Sequence, residues 1–350
     1  MSLGQRSPPT VVDAVESASW SDAVPEATVV VSTWNRAAML EDLLTALEAQ
    51  TAAPTRFELV VVDNGSVDRT FESLRDVADR TSLPMCALRI AENAGPGPAR
   101  DAGAARGRAP ILLITDDDCI PDPSWVEAML DAFGRSDAPL IQGLVRPPAT
   151  ELASARPWDH TMYVLGLSPF FQTCNIGYRT AEFWQVGGFT TEDPLVSGAD
   201  GRAFGEDTVL GSAVVALGGD PVFAPEAVVH HRVVPSTWRS QLRDRRHAVG
   251  IPGLAQRCPA MRESLVWGVF VSRATRRFDV AVAGVATGAL TRSPLPLVAV
   301  LPWARFRWRS TRRARTPGGR VVAMVGWFVL DGLVACSLVE GSVRHRRLVV

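Results

Sequence analysis

The stretch Ile111-Leu112-Leu113-Ile114-Thr115-Asp116-Asp117-Asp118 is an apolar run that ends in three adjacent carboxylates. A strand that is buried on both faces of a parallel sheet has such a continuous apolar run. Open α/β sheets bind ligands outside the carboxyl ends of their strands, so we expect the three acids at a ligand-binding edge. Their mutual repulsion would be relieved by a divalent cation that prefers oxygen ligands, Mg²⁺ or Mn²⁺. The alternative is a solvated acidic turn.

The surrounding chain alternates between short β-branched runs and amphipathic helical stretches. The predicted strands are 28–32, 57–63, 85–90, 110–116, 140–145 and 227–231. The predicted helices are 37–50, 68–80, 97–106, 125–133 and 207–217. Regular alternation of strand and helix predicts a mostly parallel, doubly wound, Rossmann-like sheet that is flanked by helices. The fold class is therefore α/β.

The net charge of -1 hides a division of the 350 residues into an acidic and a basic part. Residues 1–231 carry a charge of -17 and residues 232–350 a charge of +16. The first part suits metal chemistry and the second an anionic surface. All 36 basic residues are arginine, which excludes mechanisms that need a lysine, including the phosphate-binding P-loop. The five cysteines form no Cys-x-x-Cys pair and are typical of reduced thiols in a cytoplasmic protein.

Polar clusters follow the first two predicted strands. Residues 32–36 and 63–66 would meet the three acids at the same edge of the sheet. Asp63 could accept a hydrogen bond from the imide of a uracil or thymine, or the cluster could be an ordinary turn before a helix. The glycine-rich loop 93–103 lacks the dinucleotide fingerprint because Arg100 occupies its sixth position. Arg100 could pair with phosphate oxygens or form a surface ion pair.

These motifs stand in the order and spacing of a known enzyme family. The chain resembles family 2 glycosyltransferases, which have a GT-A-type fold, from residue 28 to about residue 250. The resemblance rests on Val30-Val-Ser-Thr-Trp-Asn-Arg36, Val61-Val-Asp-Asn-Gly-Ser66, Asn93-x-Gly-x-x-x-Ala-Arg-Asp-x-Gly103, Asp116-Asp-Asp118, Asn175-Ile-Gly-Tyr-Arg179, Val186-Gly-Gly-Phe189 and Gly205-Glu-Asp207. It implies transfer of a sugar from a nucleotide-diphosphate sugar, with inversion at the anomeric carbon.

The resemblance assigns roles position by position. The nucleotide-sugar pocket would comprise Thr33, Asn35, Arg36, Asp63, Arg100, Asp116 and Asp117. Asp118, Asp116 and His231 would hold Mg²⁺ or Mn²⁺, although His230 and His231 could also be structural. The family pattern spaces two acids around a variable residue, whereas here Asp117 fills the middle position. Which two acids engage the cation is therefore open, and the pattern favours Asp118.

The same resemblance places the general base at Glu206-Asp207 and favours Asp207. A carboxylate is needed there because an acceptor hydroxyl is a poor nucleophile until it loses its proton. The alternative is that both acids only cap the helix that follows.

The acceptor side would include Asn175, Gly188 and Trp184, although aromatic residues in such loops are commonly core residues. Arg245 or Arg246 could clamp the diphosphate, or could belong to a solvated basic helix.

The chain is expected to divide into four segments. They are a flexible leader (1–25), a GT-A-type catalytic domain (26–235), a helical extension near the active site (236–275) and an apolar, Arg-rich helical appendage (276–350). The apolar windows 280–303 and 321–339 could span a membrane, lie in its interface or pack on the catalytic domain. The arginines between them favour helices in the interface beside anionic lipid.

The sequence thus predicts a metal-dependent inverting glycosyltransferase at the inner, cytoplasmic face of the cell membrane. Its donor would be a UDP-, GDP- or dTDP-linked sugar and its acceptor a glycan or a lipid-linked molecule, in the synthesis of an envelope polysaccharide or glycolipid. We expect no nucleic-acid partner. One alternative is an inactive nucleotide-sugar-binding or scaffolding protein. Another is a sugar nucleotidyltransferase, which the absence of lysine disfavours.

Overall fold

The computed structural model describes residues 4–5, 9–21, 23–189, 191–192, 204–314 and 316–350. These residues form two compact units. The first unit comprises the described residues within 1–149, 161–192 and 206–232. The second comprises those within 150–160, 193–205 and 233–350, so the whole Arg-rich C-terminal part belongs to it.

The first unit contains all the strands of the described residues. They are β1 (Gly4–Gln5), β2 (Val11–Glu16), β3 (Ala27–Thr33), β4 (Phe57–Asp63), β5 (Met85–Ile90), β6 (Ile111–Asp116), β7 (Cys119–Pro121), β8 (Leu140–Arg146), β9 (Asn175–Arg179), β10 (Thr191–Glu192) and β11 (Val222–His231). Nine of the described strands form one sheet in the order β2-β5-β4-β3-β6-β9-β8-β11-β7, and β1 pairs with β10. Strands β5, β4, β3 and β6 run parallel, as do β8 and β11.

The helices of the first unit lie between its strands. They are α1 (Ala37–Glu48), α2 (Thr70–Ala78), α3 (Pro96–Arg106), α4 (Trp125–Gly134), α6 (Thr180–Gln185) and α7 (Glu206–Val215), while the short α5 (Ala149–Ser154) lies at the boundary of the two units. The leucines of α1 at 40, 43, 44 and 47 are all buried, which is the face that the sequence predicts. The predicted α/β fold, with a largely parallel sheet and flanking helices, is confirmed.

The register of the parallel strands brings their polar ends together. Thr33 at the end of β3 pairs with Asp63 at the end of β4. On the other side of β3, Ser32 pairs with Asp116 at the end of β6. The inner parts of these strands are apolar and buried on both faces, so the polar residues that follow are held at one edge of the sheet.

Two segments differ from the sequence prediction. Residues 11–16, which the sequence assigns to a flexible leader, form β2 and pair antiparallel with β5. An edge strand requires only backbone hydrogen bonds on one side, and Val11 and Val12 remain exposed, so no apolar pattern reveals it. Residues 175–179, for which the sequence predicts no strand, form β9 between β6 and β8.

The second unit is helical. Its helices are α8 (Trp238–Arg246), α9 (Ile251–Arg257), α10 (Pro259–Glu263), α11 (Arg273–Thr291), α12 (Leu301–Ser310) and α13 (Pro317–Arg344). The apolar window 280–303 is divided between α11, a 3₁₀ turn and α12. Among the described residues, α13 alone is long and apolar enough to cross a membrane, judged by length and composition. Its Asp331 accepts hydrogen bonds from Arg307 and from Trp303 of α12.

Candidate active site

Each of the three carboxylates at the end of β6 has a cationic partner. Arg100 of α3 donates a hydrogen bond of 2.6 Å from Nη2 to Oδ1 of Asp116. Arg36 donates from a single atom, Nη1, to Asp117 at 2.6 Å and to Asp118 at 2.9 Å. Burial raises the pKa of Asp117 to about 6, although the guanidinium of Arg36 opposes the shift. The repulsion expected from the sequence is thus balanced by two arginines.

Arg100 connects the carboxylate cluster to the predicted base. Its Nη1 lies 3.6 Å from Oε1 of Glu206, and its guanidinium lies over the ring of Phe189, 5.6 Å from the centroid. Of the two pairings that the sequence left open for Arg100, the structure has the ion pair with an acid, but that pair is buried rather than on the surface. Since Arg100 contacts both Asp116 and Glu206, it fixes the two acidic clusters relative to each other.

The glycine-rich loop before Arg100 packs closely against Glu206. Gly95 has a φ of +91°, a conformation that favours glycine. A Cβ on Gly97 would lie 2.8 Å from Oε2 of Glu206, so glycine lets α3 begin near that acid without displacing its side chain. This agrees with the rejection of a dinucleotide fingerprint.

Asp207 lies in the first turn of α7, where its Oδ1 accepts a hydrogen bond of 2.7 Å from the backbone N–H of Thr208. Burial raises the pKa of Asp207 to about 7, and the neighbouring charge of Glu206 adds to the shift. A carboxyl group with a pKa near neutral pH is suited to accept a proton during a reaction. The capping role and the base role are compatible, because the helix start also holds the carboxylate in place.

The pairing of β7 with β11 determines which histidine meets the acids. In this antiparallel register His231 lies opposite Cys119, the residue after Asp118. Nε2 of His231 lies 3.5 Å from Oδ1 of Asp118. His230 points to the other face of the strand and pairs with Asp122 at 2.9 Å. Only His231 of the two therefore lies beside the predicted metal ligand.

The loops after β3 and β4 are joined by hydrogen bonds. Asn35, in the left-handed region with a φ of 52°, donates from its backbone N–H to Oγ of Ser66 and accepts from the N–H of Val67. Asp63 is fully buried, with Oδ1 bonded to the N–H of Ser66 and Oδ2 lying 3.6 Å from Nε of Arg89. Thr33, Asn35 and Asp63 therefore share one corner of the sheet edge, as the sequence predicts.

The side chain of Asn175 is used within the sheet. It accepts a hydrogen bond of 2.8 Å from the indole of Trp125 and donates to the carbonyls of Leu144 and Ala227. Because these bonds bury and orient the amide, they contradict the prediction that Asn175 faces an acceptor.

Gly188, predicted on the acceptor side, has a structural role in a turn. Its φ is +64°, and a Cβ there would lie 2.5 Å from Oδ1 of Asp101. The same oxygen accepts from the N–H of Phe189. Trp184 packs edge-on against Phe183 but remains partly exposed, so one part of its indole is open to a ligand.

Arg245 and Arg246 belong to the second unit. The guanidinium of Arg245 lies over the ring of Trp327, 5.7 Å from its centroid, and burial lowers the pKa of Arg245. Arg246 lies 3.8 Å from Glu340. Their contact with a diphosphate stays a prediction.

The side chains around Asp118 include potential ligands for a divalent cation. Within the described part of the chain, no three His, Cys, Asp or Glu side chains converge on one metal position. Asp118 and His231 do form an adjacent oxygen and nitrogen pair. Mg²⁺ is commonly held by one or two carboxylates and completed by the phosphates of a substrate. The residues present thus fit a cation that is held jointly by the protein and a diphosphate.

Comparison with known proteins shows which protein family part of the chain matches. Residues 28–182 match the family described as Glycosyl transferase family 2. The chain is 29% identical over 306 residues to validoxylamine A glucosyltransferase of Streptomyces hygroscopicus subsp. limoneus, covering 73% of this chain and 62% of that protein. The chain thus spans about three fifths of the length of that protein. A region covering 27% of the chain is 30% identical over 95 residues to dodecaprenyl-phosphate galacturonate synthase of Rhizobium johnstonii, covering 28% of that protein.

The fold has a counterpart among solved structures. A mannosyltransferase from Pyrobaculum calidifontis, solved in complex with GDP-Man and Mn²⁺, matches 91% of this chain and 88% of its own with a TM-score of 0.57 and 17% identity. Residues 28–182 thus match a family 2 glycosyltransferase domain, and the fold is that of the GT-A type.

Sequence reasoning missed the contacts that organise the site. It did not predict that Arg36 is ion-paired with Asp117 and Asp118. It assigned no role to Asp101, which holds the turn at Gly188 and Phe189 from the residue beside Arg100. A signal was present, because adjacent arginine and aspartate on a helix point to different neighbours, but the partner of Asp101, the N–H of Phe189, lies 88 residues away.

Proposed function

We propose that the protein transfers a sugar from a nucleotide-diphosphate sugar to an acceptor hydroxyl with inversion, using Asp207 as the general base. The acceptor oxygen forms a bond to the anomeric carbon while the bond from that carbon to the diphosphate oxygen breaks. The acceptor proton passes to the carboxylate of Asp207, and the nucleoside diphosphate leaves with the bonding electrons. Attack opposite the leaving group inverts the anomeric centre.

The main support for the proposal is the environment of the Asp207 side chain. It is a partly buried carboxyl group whose pKa is raised to about 7, and it lies one residue from an acid that Arg100 ties to the carboxylate cluster. Burial and a neighbouring acid raise a carboxyl pKa toward the working range of a base. A residue that only capped a helix would gain nothing from such a shift, since capping favours the charged form.

The donor would lie along the sheet edge. Thr33, Asn35 and Asp63 would contact the nucleoside, and Asp116 and Asp117 would contact the ribose. Asp118 and His231 would hold Mg²⁺ or Mn²⁺ on the diphosphate, where a cation stabilises the charge of the leaving group. The Mn²⁺ in the Pyrobaculum calidifontis complex supports this part of the proposal.

A metal-dependent donor assay tests the proposal. The purified protein would be incubated with UDP-, GDP- and dTDP-linked sugars, and release of the nucleoside diphosphate would be followed with Mn²⁺ and with EDTA. We expect hydrolysis of at least one donor with Mn²⁺ and none with EDTA or in D118N. Donor binding without any hydrolysis or transfer would instead favour the inactive binding protein.

We also propose that the second unit attaches the enzyme to the inner face of the cell membrane. Val322, Val325 and Phe328 of α13 are exposed, as are Val282 and Val285 of α11. Apolar helical faces beside a basic surface are typical of proteins that lie in the interface of anionic membranes. A lipid-linked acceptor fits this location, and the name of the Rhizobium johnstonii relative contains such a lipid phosphate.

Vesicle flotation tests the attachment. We expect the full chain to float with vesicles that contain phosphatidylglycerol, and less with phosphatidylcholine vesicles or at high salt, since surface charges are screened by salt. The double variant R305Q/R309Q removes two exposed arginines of α12 and should float less. The matched control R69Q/R80Q removes two exposed arginines of the first unit and should float like the wild type. Equal flotation of all three proteins would contradict the proposal.

A further inference from the structure

The carboxylates Asp117 and Asp118 share one nitrogen of one arginine. Nη1 of Arg36 lies 2.6 Å from Oδ1 of Asp117 and 2.9 Å from Oδ2 of Asp118. Both aspartates are buried, so their mutual repulsion is weakly screened and requires a nearby positive charge. Arg36 supplies that charge at the point where the two side chains approach each other.

The two arginines of the cluster are anchored differently. The side chain of Arg100 is 8% exposed and pairs with Asp116 and Glu206, which lie on different elements. The side chain of Arg36 is 39% exposed. The backbone at Arg36 is tethered by a hydrogen bond of 3.1 Å to Oγ1 of Thr70. The guanidinium of Arg36 can therefore leave the acids without disturbing the chain around it.

We propose that Arg36 is an exchangeable counter-ion: it balances Asp117 and Asp118 while no divalent cation is bound, competes with that cation, and then pairs with the diphosphate of the donor. The inference rests on the metal site of the proposed function. Asp118 and His231 would hold the cation, and its charge would replace that of Arg36 beside the two acids and repel the guanidinium. The displaced guanidinium remains at the same edge of the sheet, where a diphosphate is an anion that it can bind by charge-assisted hydrogen bonds.

Two binding measurements on R36Q test the inference, and they are expected to move in opposite directions. Removing the competitor should tighten binding of Mn²⁺ alone by about tenfold, the worth of one or two charge-assisted hydrogen bonds. Removing the partner of the diphosphate should weaken binding of UDP or GDP at saturating Mn²⁺ by about tenfold. Titration calorimetry measures both, and electron paramagnetic resonance of free Mn²⁺ gives an independent value for the first.

A purely structural role for Arg36 predicts another pattern. If Arg36 only ordered the acids, R36Q would bind both Mn²⁺ and the nucleotides more weakly, and that result would overturn the inference. The conservative variant R36K keeps the charge and should fall between the wild type and R36Q in both measurements, which covers the case of an unstable R36Q. The control R56Q removes an arginine that pairs with Glu26 and should match the wild type.

The Mn²⁺ measurements distinguish an error in the role of Arg36 from an error in the proposed metal site. Equal Mn²⁺ affinity of R36Q and the wild type, with binding lost in D118N, would overturn the role of Arg36 and leave the metal site standing. Absence of Mn²⁺ binding in the wild type and in R36Q would overturn both.

Discussion

The two sides of the carboxylate cluster differ in how their charges are balanced. On the Asp116 side, a buried arginine joins the acid to Glu206, next to Asp207. On the Asp118 side, the balancing charge comes from a partly exposed arginine, and the imidazole of His231 lies 3.5 Å away. The first arrangement is suited to hold a base in place, and the second to exchange ions. Neighbouring residues of one acidic triplet thus have different tasks because their cationic partners differ in burial.

The largest expected effect falls on the base. D207N keeps the shape of the side chain but removes its ability to accept a proton, so transfer should fall by about a thousandfold, within the range for general-base catalysis. Donor binding should stay within about twofold of the wild type, because Asp207 makes none of the proposed donor contacts. Initial rates and donor titrations on the same preparation measure both quantities.

The neighbouring acid provides the matched control for D207N. E206Q loses an ion pair with Arg100 but leaves Asp207 intact, so its loss of transfer should be about tenfold, near one charge-assisted hydrogen bond. A greater loss in E206Q than in D207N would move the base to Glu206.

The two arginines should differ in their effect on stability. R100Q removes a buried guanidinium that pairs with two partly exposed acids, Asp116 and Glu206, and should lower the free energy of unfolding by about 3 kcal/mol. R36Q leaves the buried Asp117 and Asp118 without the charge of a partly exposed arginine, but Asp117, whose pKa is raised to about 6, can take up a proton, so the cost should be smaller, about 1 kcal/mol. Urea unfolding followed by tryptophan fluorescence compares the two variants with the wild type. Equal losses would show that the two sides of the cluster are not distinct.

The sequence could predict those parts of the site that depend on local patterns, but not those that depend on contacts between distant segments. Apolar runs that end in polar residues predicted the strands around Asp63 and Asp116, because burial on both faces leaves a local pattern. The amide of Asn175 could not be placed, since its bonds to Trp125, Leu144 and Ala227 join segments far apart in the chain. The double contact of Arg36 was hidden for the same reason. Local patterns gave the position of the acids, whereas their partners depend on tertiary packing.

The last expected effect is a dependence on pH, which separates Asp207 from the other acids. The pKa of Asp207 is raised from 3.8 to about 7, so the base is mostly protonated at pH 6 and mostly ionised at pH 8. The rate of transfer should therefore rise with pH through about 7, by up to about tenfold per unit on the acid side.

The free energy of unfolding should fall as pH rises, whereas the rate of transfer rises. Between pH 4 and 7 the folded protein holds a proton on Asp207 that the unfolded chain has released, so the free energy of unfolding falls as pH rises. The slope from this group is at most about 1.4 kcal/mol per pH unit. D207N cannot titrate there, so the difference in unfolding free energy between wild type and D207N isolates this residue from Asp117, whose pKa is also raised. A difference that stays constant from pH 4 to 7 would show that Asp207 is ionised throughout and would remove the physical basis for its role as the base.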